Sequence, residues 1–388
     1  MKVVVIIPTY NERENIDRMI EVLEKEIFPK IKKYRMEILV VDDRSPDGTA
    51  DVVREKMKKY DNIKLSLGKK EGLGAAYMRG MRFAMEKMEA EAVIEFDADF
   101  QHDPKYIPEL VKKFDQGYDY VIGSRFVKGG VIPKEWSFYR KFLTIFGGLF
   151  SRLILFFPNI NKVKDTTTGL KLTRVRGVLD KVDFSKISKG FCYKTEILYQ
   201  VVNMGAKITE MPIHFKIRTT GETKMPFSNV IETFLMVIRL RLRDPKTQQF
   251  MKFAVVGFIG YIVNAVGLEI FYRLGMKLGP ATAVATELAI INNFILNNIW
   301  TFAEKKIVSL KQLPYKFLQF NFTSLGALII QTAVVWVGTS LLGDQWRQIL
   351  LIFAIGFLVL PYNFFMYTTF IWKTRKSKLF ARFQEKTS

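Results

Sequence analysis

The stretch AVIEFDADFQHDP, residues 92–104, joins a short apolar run to two closely spaced carboxylates. Ala92–Ile94 is typical of a buried β-strand, and Asp97 and Asp99 follow where that strand would end. In an extended turn, alternate side chains point the same way, so both carboxylates can face one ion. Like charges this close repel unless a cation lies between them, and oxygen ligands favour Mg²⁺ or Mn²⁺. Gln101 continues the alternation and offers a carbonyl oxygen; a solvated acidic turn is the alternative.

Short apolar runs that end in polar residues recur through residues 1–220 and alternate with amphipathic segments. This alternation predicts an α/β, Rossmann-like fold with a mostly parallel sheet and helices on both faces. Ligands bind at the carboxyl ends of such strands, where the polar motifs of this chain fall. The candidate helices begin near Glu14, Gly48, Gly72 and Pro104. The candidate strands are Val3–Ile7, Glu37–Val41, Ile63–Leu67, Ala92–Phe96 and Tyr120–Gly123.

Charge and cysteine content narrow the class of protein. The 388 residues carry a net charge of +21, which favours an anionic partner such as a phosphorylated ligand, a lipid surface or nucleic acid. A nucleic-acid binder is disfavoured because the basic residues cluster beside apolar segments and no binding motif occurs. The single Cys192 excludes a disulfide framework, and His102 and His214 lie too far apart in sequence to suggest a His/Cys metal cluster.

Four long apolar stretches follow residue 252 and predict transmembrane helices at about 253–274, 280–302, 317–342 and 349–372. The alternative, a buried helical domain, would need a large protein around it. Lys and Arg concentrate before the first stretch, between the second and third, and after the fourth. This bias predicts that residues 1–226 and both termini are cytoplasmic. Similar motifs, NNFILNNIWTF (292–302) and YNFFMYTTFIW (362–372), indicate an internal repeat of helix pairs unless the similarity is chance.

Two amphipathic stretches with basic flanks, 136–157 and 227–248, are predicted to lie in the membrane interface. The alternative for each is an ordinary helix packed on the sheet. GLGAAYMRG (72–80) resembles a phosphate-binding loop, but Tyr77 occupies the third glycine position. We therefore interpret its glycines as a turn that leads into a helix.

A set of motifs in fixed order then identifies a family. VVIIPTYNE (4–12), VVDDRSPDGTADVV (40–53), GLGAAYMRG, DADFQHDP (97–104) and GSRFVKGG (123–130) together resemble family-2 glycosyltransferases. Among these, the resemblance is closest to polyprenyl-phosphate glycosyltransferases of the dolichyl-phosphate mannose synthase type. It covers about residues 1–230. The apolar half resembles the GtrA-like four-helix membrane domain. The predicted domains are a glycosyltransferase domain at 1–226, a linker at 227–248 and a four-helix transmembrane domain at 249–388.

The resemblance implies a glycosyltransferase A-type fold and assigns residues to roles. It implies metal ligation of Mg²⁺ or Mn²⁺ by Asp97, Asp99 and Gln101. DTTTGLK (165–171) and RTTGETK (218–224) match further motifs, with Leu170 and Lys171 in place of Phe and Arg. GFCYKTE (190–196) stands where the family has G-Y-x-F-Q-x-E. The catalytic candidates are Asp99, Arg125, Arg140, Asp165 and Lys171. The acceptor-phosphate candidates are Ser124, Arg125, Arg140 and Arg218. The nucleotide-sugar candidates are Pro8, Tyr10, Glu12, Val40, Asp42, Asp97, Ala98, Asp99, Arg125, Arg218 and Lys224.

The activity that the resemblance implies is transfer of mannose from GDP-mannose to dolichyl (polyprenyl) phosphate, with inversion at the sugar. A phosphate acceptor is largely ionised at neutral pH, so no general base is required. The first alternative is a UDP-glucose or other hexose donor on the same scaffold. The second is a lipid-linked sugar flippase, in which Glu269 and Glu287 in the apolar stretches line a path. The sequence does not distinguish a monomer from an oligomer.

Overall fold

The computed structural model describes residues 1–156, 160–217 and 227–373, without the side chains of residues 227–229. The chain divides into two compact units, Met1–Arg241 and Leu242–Ser388. This division falls inside the stretch 227–248 that the sequence predicted as a linker. The Asp244 side chain accepts a hydrogen bond from the Thr247 backbone N–H at 2.9 Å and caps the helix that begins at Pro245. The predicted 227–248 stretch is therefore two helices rather than one.

Unit 1 contains a seven-stranded sheet in the order β3-β2-β1-β4-β6-β5-β7. The pairs are parallel except for β6, which runs antiparallel to both β4 and β5. The mostly parallel sheet that the sequence predicted is confirmed. The strands are β1 (Lys2–Thr9), β2 (Arg35–Asp42), β3 (Ile63–Leu67), β4 (Ala92–Glu95), β5 (Tyr120–Ser124), β6 (Lys171–Arg174) and β7 (Ile208–Pro212).

Helices cover both faces of this sheet, and each face has its own apolar core. Val3 and Val5 of β1 face one core, while Val4 and Ile6 face the other. A strand buried on both faces is apolar at every position, which is why β1 shows no polar alternation. The helices of unit 1 are α1 (Arg13–Val22), α2 (Thr49–Lys59), α3 (Leu73–Glu86), α4 (Ile107–Asp115), α5 (Phe138–Ile154), α6 (Tyr193–Asn203) and α7 (Phe227–Arg243).

Of the two glycines predicted to form a turn into a helix, Gly72 precedes α3 and Gly74 lies in its first turn. Gly72 has a φ of +117°, and a Cβ there would lie 2.5 Å from the Lys189 carbonyl oxygen. A Cβ on Gly74 would lie 2.6 Å from the Ser188 carbonyl oxygen. Both glycines are therefore needed for the close approach of the 188–190 segment to the start of α3.

Unit 2 is helical. Among the described residues, three helical segments are long and apolar enough to cross a membrane: Pro245–Arg273, Leu313–Leu342 and Asp344–Ile371. The second predicted span forms the helix Leu278–Leu296, which carries Glu287 and neighbouring asparagines, and its crossing stays a prediction. The α-helices are α8 (Pro245–Arg273), α9 (Leu278–Leu296), α10 (Leu313–Leu342), α11 (Arg347–Phe353) and α12 (Leu360–Met366).

The predicted internal repeat has a structural counterpart. π-Helical turns occur at Asn297–Thr301 and Tyr367–Ile371, at matching places in the two similar motifs. Phe302 follows the first turn and Trp372 follows the second. Their rings stack on each other with centroids 4.4 Å apart. The two motifs therefore share local geometry as well as sequence, and the repeat of helix pairs stays a prediction.

Candidate active site

The ends of β4, β5 and β6 bring the acidic turn and several cations together in unit 1. The turn after β4 passes through Phe100, which has a left-handed φ of 57°. The Gln101 backbone N–H donates to Asp99 Oδ1 at 3.1 Å, which fixes this carboxylate against its own turn. Gln101 itself is buried, and its side-chain amide donates to the Lys216 carbonyl at 3.5 Å.

Asp97 lies among groups from four separate segments. The Tyr77 hydroxyl of α3 donates to Asp97 Oδ1 at 2.7 Å. The other oxygen, Oδ2, is 4.0 Å from Lys194 Nζ at the start of α6 and 3.9 Å from His102 Nδ1. A Cβ on Gly169 would lie 2.7 Å from Asp97 Oδ2. The absence of a side chain at Gly169 therefore lets the DTTTGLK segment lie close against this oxygen.

A buried polar cluster lies next to Asp97 and is joined to it through the Tyr77 hydroxyl. Tyr77 stacks on Tyr193 at 5.2 Å between ring centroids, and the Tyr193 hydroxyl donates to Glu95 at 2.9 Å. Lys171 is paired with Glu95 in the β4–β6 register, and its Nζ donates to the Lys194 carbonyl at 3.1 Å. All four cluster side chains, Tyr77, Tyr193, Glu95 and Lys171, are fully buried. Lys171, a catalytic candidate from the family motif, therefore has its side chain inside this cluster.

Burial shifts the pKa values of these groups. It lowers the pKa of Lys171 to about 8, against the opposing pull of the Glu95 charge. It raises the pKa of Glu95, while the Lys171 charge acts in the opposite direction. Burial also lowers the pKa of His102 to about 3, so this imidazole is neutral at pH 7. The sequence analysis gave His102 no role, although it lies inside DADFQHDP.

Arg125 and Asp165 form a buried, two-pronged ion pair. Arg125 Nε and an Nη each donate to one Asp165 oxygen at 2.7 Å, and the Arg125 backbone N–H adds a bond of 3.0 Å. Burial acts to raise the pKa of Asp165, but the Arg125 charge and these hydrogen bonds lower it. Arg125 also donates to Thr167 at 2.9 Å. The two predicted catalytic residues therefore hold each other.

Two further acceptor candidates, Ser124 and Arg140, lie beside this pair. Ser124 is fully buried at the end of β5. The Arg140 guanidinium lies 3.9 Å from the Trp136 ring centroid, and burial together with the Arg125 charge lowers its pKa. Arg218, predicted for donor and acceptor, and Lys224, predicted for the donor, lie outside the described residues.

The predicted nucleoside residues gather at the ends of β1 and β2. Asp42 is fully buried and accepts hydrogen bonds from Thr9 at 2.9 Å and from Ser45 at 2.6 and 2.9 Å. Val40 is equally buried, so neither side chain is exposed, and the predicted place of both residues around the nucleoside stays a prediction. Tyr10 is 39% exposed, with Lys70 Nζ 3.4 Å from its ring centroid.

Three further nucleotide-sugar candidates, Pro8, Glu12 and Ala98, lie next in sequence to residues already described. Pro8 is partly exposed in β1, and Ala98 is buried between the two aspartates of the turn. Glu12 accepts a hydrogen bond from the Asn15 side chain at 2.6 Å at the start of α1.

The acidic turn offers two carboxylates, Asp97 and Asp99, and carboxylate oxygens are ligands that suit a hard divalent cation. No group of three or more His, Cys, Asp or Glu side chains in ligating arrangement occurs in the parts of the chain that the structure describes. Magnesium commonly uses only one or two carboxylates and completes its shell with water and substrate phosphates. Asp97 and Asp99 supply such a pair of carboxylates within one turn.

A second feature of unit 1 is the outward apolar face of α5. Its buried positions are the small Gly148 and Ser151, whereas Phe138, Phe142 and Ile145 are 85%, 50% and 52% exposed. A helix packed on the sheet would instead bury its large apolar side chains. A shallow groove of about 390 Å³ runs along this face. It is lined by Phe138, Lys141, Phe142, Ile145, Phe146 and Leu149.

Helix α7 packs beside α5 within the same unit. Phe234 contacts Phe146 and Phe150 with centroid distances of 6.0 and 4.5 Å. Ile231 and Leu235 of α7 are 47% and 55% exposed. The two predicted amphipathic stretches therefore form one continuous, partly exposed apolar surface.

Sequence reasoning missed several residues that lie in the site. Tyr77 was noted only as a break in a glycine pattern, and Lys194 only as a departure within GFCYKTE. Glu95 opens the acidic stretch but was counted as the end of a strand. Long-range packing alone shows that these residues meet, because they belong to three different elements.

Comparisons with known proteins agree with these observations. The chain matches the family Glycosyl transferase family 2 over residues 4–180 and the family GtrA/DPMS, transmembrane domain, over residues 252–372. It is 34% identical over 337 residues to dolichol-phosphate mannosyltransferase of Pyrococcus furiosus, covering 87% of this chain and 90% of that protein. It is 35% identical over 245 residues to polyprenol monophosphomannose synthase of Mycolicibacterium smegmatis, covering 62% and 88% of the two chains.

A solved structure is also similar to part of this chain. Glucosyl-3-phosphoglycerate synthase from Mycobacterium tuberculosis, in complex with Mn²⁺, uridine diphosphate and glucosyl-3-phosphoglycerate, shares 17% identity at a TM-score of 0.44. The match covers 62% of this chain and 78% of that one. A likeness of this size supports no inference about ligands.

Proposed function

Because this chain belongs to glycosyl transferase family 2 and carries a GtrA/DPMS transmembrane domain, we propose that it transfers mannose from GDP-mannose to dolichyl phosphate or a related polyprenyl phosphate. The observation that carries the proposal is the Asp97–Asp99 turn at the sheet edge, with Lys194 and Gly169 beside it. The similarity to two named mannose-transferring relatives supports the sugar.

Asp97 and Asp99 would hold a Mg²⁺ or Mn²⁺ ion, which supplies positive charge that stabilises the departing nucleotide diphosphate. Gln101 is proposed as a further oxygen ligand. Tyr77 keeps Asp97 in place through its hydrogen bond at 2.7 Å. Because the carboxylates are fixed before substrate arrives, little reorganisation is needed when the diphosphate leaves.

The nucleoside would lie over the ends of β1 and β2. Tyr10 offers an exposed aromatic face there, and Pro8, Glu12 and Ala98 belong to neighbouring turns. Asp42 acts through Ser45 and Thr9, whose hydrogen bonds it accepts, rather than by reaching the nucleoside itself. It is therefore proposed as a positioning residue.

The acceptor phosphate would be recognised by basic residues near Ser124 at the end of β5. Arg140 stands on the Trp136 ring, and the proposed role of Arg218 extends this set. Arg125 is held by Asp165, so its remaining N–H groups face a fixed direction. An ordered guanidinium suits a phosphate oxygen because its donors form a planar fork.

The chemistry is a single displacement at the anomeric carbon. An acceptor phosphate oxygen forms the new bond to carbon on the face opposite the diphosphate, and the bond from carbon to the diphosphate breaks. The configuration at the sugar inverts. The acceptor phosphate is already ionised, so no proton has to be removed from it. The neutral His102 is not required as a base.

The polyprenyl tail would lie in the lipid phase beside the exposed apolar face of α5 and α7. Phe138, Phe142 and Ile145 are proposed to enter the interface, with Lys141 at the headgroups. The apolar helices of unit 2 make the chain an integral membrane protein. The positive residues at both ends of that unit support cytoplasmic termini.

The test is transfer of label with the purified full chain in detergent, dolichyl phosphate and Mn²⁺. Radiolabelled GDP-mannose is compared with radiolabelled UDP-glucose. Label that enters the organic phase only from GDP-mannose supports the proposal. Label only from UDP-glucose moves the enzyme to the glucosyl branch, and label from neither makes the flippase the next hypothesis.

A further inference from the structure

Tyr193 contacts a buried carboxylate with its hydroxyl and another aromatic ring with its face. The hydroxyl donates to Glu95 Oε2 at 2.9 Å, and the ring stacks on Tyr77 with 5.2 Å between centroids. Tyr77 in turn donates its hydroxyl to Asp97 Oδ1 at 2.7 Å. Glu95, Tyr193, Tyr77 and Asp97 are therefore joined by one unbroken series of contacts that ends at the acidic turn.

The side chains that lead to Asp97 are enclosed on all sides. Glu95, Tyr193 and Tyr77 are fully buried, and both tyrosines belong to the same apolar core. Protein interiors are close-packed, so a ring that shifts at Tyr193 must displace the ring stacked on it. A change at the Tyr193–Glu95 bond is therefore passed to Tyr77.

The end of the series that lies away from Asp97 is anchored to two more segments of the site. Glu95 is the last residue of β4. Lys171, opposite Glu95 in the β4–β6 register, donates its Nζ to the Lys194 carbonyl at 3.1 Å. Tyr193 and Lys194 are the first two residues of α6. The orientation of the Tyr193 ring is thus set jointly by β4, β6 and α6.

We propose that Tyr193 is a positioning residue for the metal site, which holds the Tyr77 ring and, through Tyr77, the Asp97 carboxylate in the orientation that ligates the cation. This inference rests on the proposed function, because it takes Asp97 to be a metal ligand. Removal of a group that orients a metal ligand typically costs about 10- to 100-fold in metal affinity or activity.

The test is a double-mutant cycle on the affinity for Mn²⁺. Free Mn²⁺ is followed by electron paramagnetic resonance in titrations of the detergent-purified full chain in the presence of GDP. Tyr77→Phe removes the hydroxyl that contacts Asp97, and Tyr193→Phe removes the other hydroxyl of the stacked pair. Each variant should raise the Kd for Mn²⁺ by about tenfold or more. The double variant should bind no more weakly than Tyr77→Phe alone, because Tyr193 acts through Tyr77.

The matched control is Tyr120→Phe. Tyr120 is also fully buried in the same core, and its hydroxyl has no hydrogen-bond partner within the described part of the chain. Loss of this hydroxyl should leave the Kd for Mn²⁺ unchanged. Other partners of Asp97 do not affect the comparison, because every variant keeps them. All chains are compared at a temperature at which thermal melting shows them to be folded.

A wild-type Kd in Tyr193→Phe would overturn the inference, and so would losses that add up in the double variant. Mannose transfer by the wild type would in either case leave the proposed function standing. A wild type that shows the expected cycle but transfers no label supports the role of Tyr193 and contradicts the proposed function. A wild type that neither binds Mn²⁺ nor transfers label contradicts both.

Discussion

Arg125 and Asp165, which are far apart in sequence, hold each other through two parallel hydrogen bonds of 2.7 Å in a buried setting. The pair joins the end of β5 to the DTTTGLK motif, so it fixes the position of two site segments at once. Its value lies in this connection, because a buried ion pair adds little stability by itself compared with apolar packing.

Removing one partner should therefore be costly. Asp165→Asn leaves Arg125 buried without its counter-charge, and we expect the free energy of unfolding to fall by about 3 to 5 kcal/mol. The measurement is chemical denaturation of the purified chain, followed by intrinsic fluorescence. Asp51→Asn breaks the exposed Asp51–Arg54 pair and is the control, with an expected loss of about 1 kcal/mol or less. Similar losses in both variants would contradict the structural role of Asp165.

Gly169 should be needed for activity more than for stability. Its backbone does not require a positive φ, but the Cβ of Gly169→Ala would lie 2.7 Å from Asp97 Oδ2. The carboxylate must move, and we expect kcat to fall by about a hundredfold. Gly177 has a φ of +84° with no atom within 4 Å of an added Cβ. Gly177→Ala should therefore lose about 1 to 2 kcal/mol of stability with kcat unchanged. A normal kcat for Gly169→Ala would contradict the claim that the missing side chain at Gly169 keeps the Asp97 carboxylate in place.

Lys171 predicts a particular dependence of stability on pH. Its pKa is about 8 in the folded chain and 10.5 ordinarily, so the unfolded chain binds more protons between these values. Stability rises with pH wherever the unfolded state binds more protons. The contribution of Lys171 is thus least favourable below pH 8 and improves up to about pH 10.5.

This dependence is measured as the difference in melting temperature between the wild type and Lys171→Met from pH 7 to pH 10. Methionine has nearly the same length and does not titrate. The melting temperature of the wild type should therefore rise relative to that of the variant as the pH rises. Parallel melting curves across this range would show that Lys171 does not change its protonation there.

We expect the apolar face of α5 to contribute to binding of the lipid substrate and not to binding of the nucleotide sugar. Phe142→Ser combined with Ile145→Ser removes two exposed apolar side chains, and we expect the KM for polyprenyl phosphate to rise by about tenfold or more. The KM for GDP-mannose should stay the same, because neither side chain belongs to the acidic turn. Met57→Ser on α2 removes an apolar side chain of 37% exposure and is the control. Equal changes in both KM values would argue against a lipid contact.

The sequence predicted the parallel core of unit 1 well. Ile63–Leu67 was predicted with the bounds that the structure has, and Ala92–Phe96 differs from β4 by one residue. Strands buried on both faces are continuous apolar runs, so their signal is local. β6 (KLTR) and β7 (ITEMP) were missed. Their few aliphatic residues give no such run, and tertiary pairing alone makes them strands.

The site was predicted less completely than the fold. Asp97 and Asp99 were evident because two carboxylates at a strand end need a chemical reason. The buried cluster of Tyr77, Glu95, Lys171 and Tyr193 was not, since burial of polar residues on different elements leaves no pattern in any one of them. Lys171 was taken as a catalytic candidate because DTTTGLK matches a family motif, although its side chain lies inside the protein.

The most direct test of the central claim, that the Asp97–Asp99 site transfers mannose to a polyprenyl phosphate, is product formation by the wild type and Asp99→Asn. Both purified chains are incubated with GDP-mannose, dolichyl phosphate and Mn²⁺, and the lipid phase is analysed by mass spectrometry. We predict mannosyl-phosphate lipid with the wild type and almost none with Asp99→Asn. Comparable product from both, or none from the wild type, would contradict the claim.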